Sequence, residues 1–319
     1  MMTTENSNIR STAAACPLFS ILIPTFNRGH LLARALESAE RQTFRDFEVV
    51  IIDDGSTDGT RDLVQKWQQR APFPIVYHWQ ENQGKHGAHN TALAFLRGFF
   101  TVILDSDDVL VPNALERLKF HWDSIPADRK SKFSGVEGLV CYFDGAIEGT
   151  RFPLDVLDAD YLSLRKRYRV GGDKRGCVRS DILREFPFPR FAGERHVRPS
   201  LLWKRVAQKY QTRFVNEVVQ LVERQPGGLS SDRFRLRTRN PAGFRFYFME
   251  DVNLHGKDDP LGQRLQSCAN FVRYSFHSGS SLAQQFHDIR YPALWLLSLP
   301  RGMLAWIRDR IRMRAQRIS

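Results

Sequence analysis

Three aspartates stand directly after a short apolar segment in the first third of the chain. The segment T-V-I-L at 101–104 predicts a buried strand, and Asp105, Asp107 and Asp108 follow it. Carboxylates this close repel one another unless a cation or hydrogen-bond donors compensate. Asp105 and Asp107 could hold a hard divalent cation between them and leave positions open for phosphate oxygens. The alternative is that Asp107 or Asp108 caps a helix beginning at Pro112, with the remaining carboxylates solvated.

The elements before these aspartates are predicted to bring other polar turns beside them. Strands are predicted at 18–24, 47–52 and 75–79, each followed by a helix, at 30–41, 61–70 and 88–97. Strand–helix units at this spacing predict a parallel sheet with right-handed crossovers and helices on both faces. Ligands bind such sheets at the carboxyl ends of the strands. Each residue alone could be ordinary turn chemistry. The polar residues predicted at that edge are Thr25, Asn27, Arg28, Asp53, Asp54, Asn82, Lys85, Asp105 and Asp107.

The chain contains no glycine-rich phosphate loop. Neither G-x-G-x-x-G nor G-x-x-x-x-G-K-[ST] occurs in it. A diphosphate at the predicted edge would therefore be held by a metal ion and basic side chains. Asp105 and Asp107 are the candidate ligands of that metal ion.

Four motifs in a fixed order carry a family resemblance. They are I-L-I-P-T-F-N-R at 21–28, Q-T-F-R-D-F-E-V-V-I-I-D-D-G-S-T-D-G-T at 42–60, N-Q-G-K-H-G-A-H-N at 82–90 and L-D-S-D-D at 104–108. Together they resemble the family 2 inverting glycosyltransferases with the GT-A fold. The resemblance implies an α/β fold with a Rossmann-like, mostly parallel sheet flanked by helices, a more irregular acceptor half and a helical C-terminus. It also implies a nucleoside-diphosphate sugar donor, with a UDP-sugar favoured, and Mg²⁺ or Mn²⁺.

The resemblance assigns roles position by position. Asp107 matches the metal ligand, Asp105 faces the ribose or the metal shell, and Asp108 orients its neighbours. The first and second motifs border the nucleoside, and the third lies near the base and ribose. The positions implied for the nucleotide sugar are Pro24, Thr25, Asn27, Arg28, Asp53, Asp54, Lys85, His86, Asn90, Asp105 and Ser106.

Inversion requires a general base that takes a proton from the acceptor hydroxyl. In the family this base comes from the second half of the domain. The segment G-G-D-K-R-G-C-V-R-S-D-I-L-R-E-F-P-F-P at 171–189 resembles a stretch found in a subset of the family, and F-A-G-E at 191–194 follows it. Glu194 is the first candidate and Asp173 the second. The alternative for Glu194 is a surface glutamate paired with Arg195 or Arg198.

The second half also departs from the family pattern. Relatives in a subset of the family carry a Pro-Glu pair shortly after the glutamate, whereas this chain reads Arg198-Pro199-Ser200. One carboxylate is therefore missing or shifted. The departure keeps a second function open, a catalytically degenerate GT-A protein that binds glycans or acts as a scaffold.

The length and composition predict a globular protein with one large domain and an extension. The chain has 319 residues, of which 42% are hydrophobic, and four widely spaced cysteines that fit no zinc or disulfide framework. A reducing compartment follows. We predict a disordered leader at 1–16, a nucleotide-sugar-binding half at 17–115, an acceptor-binding half at 116–225 and a helical extension with a basic amphipathic tail at 226–319.

The formal net charge of +12 implies an anionic partner. Residues 301–319 hold six arginines and one aspartate, after an apolar segment with Trp295 and Trp306, which predicts a basic interfacial helix. The alternative is a helix packed on the body with a basic tail. Nucleic acid would explain the charge but not the acidic sheet edge, so no nucleic-acid partner is expected.

Together these features predict a metal-dependent inverting glycosyltransferase. The expected acceptor is a hydroxyl of a glycan or of a lipid-linked acceptor, in bacterial surface polysaccharide synthesis. The expected location is the cytoplasm, with peripheral contact at the inner face of the cell membrane.

Overall fold

The computed structural model describes residues 16–223, 232–256 and 259–318. All but the last residue of the predicted leader, and part of the predicted boundary near 226, lie outside these ranges.

A single mixed sheet forms the centre of the molecule. Its first strands are runs of apolar and β-branched residues that are buried along their whole length. The strands are β1 (Phe19–Thr25), β2 (Phe47–Asp53), β3 (Ile75–Trp79), β4 (Phe100–Ile103), β5 (Val109–Leu110), β6 (Phe133–Tyr142), β7 (Val156–Ala159), β8 (Lys174–Arg179) and β9 (Gln211–Val222).

The strand order is β3-β2-β1-β4-β8-β6-β9-β5, with β7 also paired to β9. The first four strands in this order are parallel, as predicted, and Thr25 stands opposite Asp53 where β1 and β2 end. Strand β8 then runs antiparallel to β4, and β6 pairs in parallel with β9. The first four strands therefore present their carboxyl ends along one edge, beside strands contributed by the second half of the chain.

Helices cover both faces of the sheet. Helix α3 begins at Lys85, three residues before the predicted start, because Gly84 takes a left-handed backbone with φ of +81° that lets the chain turn into the helix at once. The helices are α1 (Gly29–Glu40), α2 (Thr60–Arg70), α3 (Lys85–Ala92), α4 (Ala114–Asp123), α5 (Tyr161–Lys166), α6 (Ser180–Glu185), α7 (Ser200–Val206), α8 (Arg233–Arg239), α9 (Pro241–Glu250), α10 (Leu261–His277), α11 (Leu282–Asp288) and α12 (Pro292–Ile318).

The apolar core is divided by the sheet. One cluster packs α1, α2 and α4 against one face, and a second packs α3, α6 and α7 against the other. A separate cluster joins α10 to the start of α12. These layers fix the sheet edge from both sides.

The C-terminal helix α12 is continuous through Pro300. Trp295 is buried, and the Trp306 ring lies 5.3 Å from that of Phe276 in α10. The two tryptophans therefore face the protein body and do not form the exposed apolar face that their sequence position suggested. None of the helices in the described ranges combines the length and hydropathy needed to cross a bilayer.

Candidate active site

The turns after β1 and β2 are joined to each other by Asn27. Its backbone has φ of +51°, its amide N–H donates to Ser56 Oγ at 2.8 Å, and its Oδ1 accepts from the Thr57 amide at 2.8 Å. Asparagine tolerates this left-handed conformation better than most residues. Nearby, Thr25 is buried and its Oγ1 has no hydrogen-bond partner in the described part of the chain. Asn27 is thus a structural bridge, whereas Thr25 has a free polar atom.

Two aspartates at the end of β2 have different surroundings. Asp53 accepts hydrogen bonds from the Tyr77 hydroxyl at 2.7 Å and from the Ser56 amide at 2.8 Å. Asp54 accepts from the amides of Gln83 at 2.9 Å and Gly84 at 2.7 Å. Burial raises the pKa of Asp54 despite these donors. Asp54 therefore orders the loop that leads into α3.

Protein cations already neutralise the aspartates after β4. Arg28 Nη1 pairs with Asp107, while Lys85 and Arg175 pair with Asp105, the latter at 3.4 Å. Burial acts to raise the pKa of Asp105, but the Lys85 and Arg175 cations outweigh it and hold the pKa well below its usual range. This edge therefore holds compensated carboxylates, with three cations that could also face phosphate.

Among the described residues, none of the ion pairs involves Asp108. Gln220 Nε2 from β9 donates to Asp108 Oδ2 at 2.7 Å, and the backbone amide of Asp108 donates to the Asp105 carbonyl at 2.9 Å. Burial first, and then the charge of Asp105, raises the pKa of Asp108 to about 7. Ser106, between the first two aspartates, is also buried. Asp108 acts as a support for the turn.

The carboxylates at this edge fit a metal that is shared with the substrate. Within the described ranges, no three His, Cys, Asp or Glu side chains converge as a complete cation site. Mg²⁺, however, is commonly held by one or two carboxylates with substrate phosphates and water as the other ligands. Asp105 Oδ1 is buried and pairs with Lys85 Nζ, so a metal ion there would meet an ionised oxygen. Asp105 and Asp107 supply the hard oxygen atoms such a site needs.

The side chains of the third motif divide into two groups. Lys85 faces Asp105, and His86 is buried with an Nδ1 that has no partner among the described residues. Asn90 points elsewhere, since its Nδ2 donates to the Phe188 carbonyl at 2.8 Å and its Oδ1 accepts from the Phe188 amide at 2.9 Å. This geometry argues against a nucleotide contact for Asn90 and gives it a structural role.

The two candidate bases lie in unlike settings. Both oxygens of Glu194 accept hydrogen bonds at the start of α9, from the amides of Ala242 at 2.6 Å and Gly243 at 2.7 Å. Burial raises the pKa of Glu194 even so. Asp173 is 69% exposed and lies 3.5 Å from Arg175. The predicted alternative, a surface ion pair of Glu194 with Arg195 or Arg198, is not what the structure shows.

A cavity of about 290 Å³ lies between the third motif and the Glu194 segment. Gly84 is in close contact with the backbone of Arg195, since a Cβ on Gly84 would lie 1.9 Å from the Arg195 carbonyl oxygen. The cavity joins the predicted donor edge to the predicted base. Its lining includes Asn82, Gln83, His86, Arg190, Glu194 and Arg195.

Sequence reasoning missed three charged residues near this edge. Arg175 belongs to β8, whose pairing with β4 brings it to Asp105, and Arg34 Nη2 donates to the Asp107 carbonyl at 2.7 Å. Glu137 in β6 has its pKa raised to about 7 by burial, against the opposing effect of Arg165. Strand pairing places Arg175 and Glu137 near this edge, which sequence position alone did not indicate.

A known protein family matches the first part of the chain. The model of the family described as Glycosyl transferase family 2 matches residues 20–128. Residues 20–128, about a third of the chain, are therefore similar to the family 2 glycosyltransferases. The match contains all four motifs and the aspartates after β4.

Curated relatives resemble this domain over about a third of the chain. Chondroitin synthase of Escherichia coli is 43% identical over 106 residues, covering 33% of this chain and 15% of that protein. The GalNAc(5)-diNAcBac-PP-undecaprenol beta-1,3-glucosyltransferase of Campylobacter jejuni is 39% identical over 104 residues, covering 32% of this chain and 33% of that protein. The match thus spans a third or less of each relative.

Solved structures resemble this chain over most of its length. S. aureus TarS in complex with UDP-GlcNAc matches with a TM-score of 0.58 and 21% identity, over 90% of this chain and 81% of that one. The mannosyltransferase PcManGT of Pyrobaculum calidifontis, in complex with GDP-Man and Mn²⁺, matches with a TM-score of 0.52 and 18% identity, over 93% and 88%. These likenesses confirm the predicted GT-A type fold.

Proposed function

We propose that this protein is a metal-dependent inverting glycosyltransferase that uses a nucleoside-diphosphate sugar, with a UDP-sugar favoured. The observation that carries the proposal is the family 2 match over residues 20–128, whose motifs end in polar turns along one sheet edge. We assign 17–115 to donor binding and 116–225 to acceptor binding. The second half also contributes Arg175 and Gln220 to the donor edge.

The nucleoside of the donor would lie over the ends of β1 and β2. Thr25 Oγ1 and His86 Nδ1 are buried polar atoms that lack partners among the described residues, so a ligand there could satisfy them. Asp53 and Asp54 hold the turns that would border the nucleoside, and Pro24 and Asn27 belong to the first of these turns. Arg28 and Lys85 are placed to meet the diphosphate.

Asp107, with Asp105 beside it, would hold Mg²⁺ or Mn²⁺ when the donor is bound. The metal would offset the negative charge that the departing diphosphate gains. Without a ligand, Arg28 pairs with Asp107. We propose that Arg28 releases this carboxylate when the donor binds and pairs with the diphosphate instead. Arg175 keeps Asp105 ionised throughout.

Glu194 is the proposed general base. It would take the proton from the acceptor hydroxyl as the hydroxyl oxygen attacks the anomeric carbon, and the diphosphate would leave with the electron pair of the broken C–O bond. The amides at the start of α9 fix the carboxylate, and each oxygen retains a second lone pair for a hydroxyl. Asp173 is the second candidate for this role.

The acceptor is proposed to be a hydroxyl of a glycan or of a lipid-linked glycan, in bacterial polysaccharide or glycoconjugate synthesis at the inner face of the membrane. The names of the E. coli and C. jejuni relatives, a chondroitin synthase and a glucosyltransferase for an undecaprenol-linked glycan, support this class. The cavity between the donor edge and Glu194 provides the space for it.

Calorimetric titration of UDP and of GDP, each with and without Mn²⁺, tests the donor site. We expect one nucleotide to bind the wild type with Mn²⁺ at least about tenfold more tightly than without it, and Asp107→Asn to abolish that difference. Asp181→Asn is the matched control, since Asp181 also pairs with an arginine, Arg179, but 60% of its side chain is exposed on the surface.

The outcomes separate the proposals. Metal-independent binding that Asp107→Asn leaves unchanged would overturn the metal assignment. Binding of neither nucleotide would favour the degenerate, glycan-binding alternative. For the base, Glu194→Ala should keep nucleotide affinity but lose hydrolysis of the donor sugar by about 100-fold or more, with partial recovery in formate. Unchanged turnover would remove Glu194 from the mechanism.

A further inference from the structure

Helix α12 contacts the described part of the protein body through one face. At Gly302 the helix approaches α10 so closely that a Cβ there would lie 2.5 Å from the Val272 Cβ. Two turns further on, Asp309 accepts two hydrogen bonds of 2.6 Å from Arg273, and its Oδ2 lies 2.9 Å from His277 Nε2. These contacts fix how the helix is rotated about its own axis.

The face opposite these contacts is apolar and uncovered. At 3.6 residues per turn, the positions about 180° from Gly302 and Asp309 carry exposed aliphatic side chains over four turns. Leu297 is 71% exposed and Ile311 63% exposed. A helix on a protein surface normally turns a polar face outward. The exposed apolar side chains, which we call the outer face, are Leu296, Leu297, Met303, Leu304, Ile307 and Ile311.

The apolar surface continues onto the neighbouring helix α11. Phe286 is 53% exposed, and its ring lies 5.8 Å from that of Trp295 at the start of α12. Leu282, one turn earlier, is 50% exposed. The uncovered surface is therefore wider than a single helix.

The charge around the outer face is of one sign. Asp309 is the only acidic residue in α12, and it is buried against Arg273. Exposed arginines border the outer face, with Arg301 and Arg308 along one side and Arg310 along the other. An apolar stripe between rows of arginine matches the acyl and headgroup layers of an anionic bilayer.

We propose that the outer face of α12, with Phe286 of α11, docks on the surface of an anionic lipid bilayer. The helix would lie in the plane of the interface, with its apolar side chains among the acyl chains and the bordering arginines at lipid phosphates. Contact with a second copy of this face would instead bring the arginine rows of two molecules together, which like-charge repulsion disfavours. The inference rests on this surface alone and stands whether or not the proposed transfer reaction does.

Vesicle co-sedimentation of the full chain tests the proposal, with phosphatidylcholine vesicles compared with vesicles containing 30% phosphatidylglycerol. We expect preferential binding to the anionic vesicles and a loss of about tenfold or more in Leu304→Glu. Leu154→Glu is the matched control, since Leu154 is 59% exposed and Leu304 55%, and it should bind like the wild type. Arg301→Gln with Arg308→Gln should weaken anionic binding about fivefold per arginine.

Other outcomes would overturn the proposal. Equal sedimentation of Leu304→Glu and wild type would remove the outer face from membrane contact. No vesicle binding, together with a dimer in light scattering that Leu304→Glu disrupts, would assign the face to a second copy. No vesicle binding by a monomer would assign it to another protein. A near-wild-type far-UV circular dichroism spectrum of Leu304→Glu excludes misfolding as the cause of lost binding.

Discussion

Gly84→Ala is predicted to damage the fold and the candidate base together. Gly84 lies between Asp54, which accepts its amide hydrogen at 2.7 Å, and the backbone of Arg195. It has φ of +81°, and an added Cβ would lie 1.9 Å from the Arg195 carbonyl oxygen. No real Cβ tolerates that approach, so the segment carrying Glu194 must move away from the third motif.

Two costs determine the magnitude. A residue with a Cβ loses about 1–2 kcal/mol in the left-handed conformation. Displacing a packed backbone segment adds about 1–3 kcal/mol, as in other overpacked sites. The free energy of unfolding should therefore fall by about 2–5 kcal/mol. Because Glu194 shifts with its segment, donor hydrolysis should fall more than nucleotide affinity.

Urea unfolding followed by circular dichroism measures the first effect, and two other glycines separate its parts. Gly145 has φ of +91° with no atom within 4 Å of the added Cβ, so Gly145→Ala reports the conformational cost alone. Gly59 has φ of −72° and equal space, so Gly59→Ala should change stability by less than about 1 kcal/mol. If Gly84→Ala is no less stable than Gly145→Ala, the argued contact with Arg195 does not constrain the protein.

Three further predictions concern charged groups. Arg28→Ala should strengthen Mn²⁺ binding to the nucleotide-free protein, because Arg28 no longer competes with the ion for Asp107. Electron paramagnetic resonance of the free ion measures this affinity, and unchanged or weaker binding would contradict the proposed release of Asp107 by Arg28. Burial raises the pKa of Glu137 from 4.5 to about 7, so the folded state holds this proton more tightly and loses stability as pH rises between those values. Glu137→Gln should accordingly match the wild type near pH 4 and exceed its unfolding free energy by roughly 1–3 kcal/mol at pH 8; equal slopes against pH would refute this. Asp309→Asn should lower the unfolding free energy by about 1–3 kcal/mol by leaving Arg273 partly unpaired, whereas the exposed Asp123→Asn should change it by less than about 1 kcal/mol.

The fold of the first third of the chain was predictable because its signals are local. Strand β3 has the predicted bounds, Ile75–Trp79, and the parallel order of the first four strands follows from the alternation of strands and helices. The turn residues Asn27 and Gly55 occupy the left-handed conformations that their types favour. Local pattern and turn chemistry together were enough to bring Asp53 and Asp105 to one edge.

The remainder depends on contacts between distant parts of the chain. Arg175 reaches Asp105 because β8 pairs antiparallel with β4, and no local sequence pattern predicts this pairing. Asn90 lies inside a family motif, yet its carboxamide serves the backbone of Phe188, 98 residues away. Glu194 likewise meets α9 through a contact spanning 48 residues. Sequence motifs thus predicted which turns meet at one sheet edge, but they could not tell which side chains there are already bonded within the protein.

The ion pairs at this edge explain why donor and metal would be expected to bind together. Without ligands, Arg28 neutralises Asp107, as Lys85 and Arg175 neutralise Asp105. A metal alone would have to displace Arg28 and leave that guanidinium without a partner. A diphosphate alone would attract Arg28 and leave Asp107 facing phosphate oxygens of like charge. The metal and the diphosphate together give each group a new partner of opposite sign, so the number of ion pairs is conserved. On the proposed mechanism the synergy between Mn²⁺ and nucleotide therefore arises from the Arg28–Asp107 pair itself, and it should be smaller in Arg28→Ala than in the wild type.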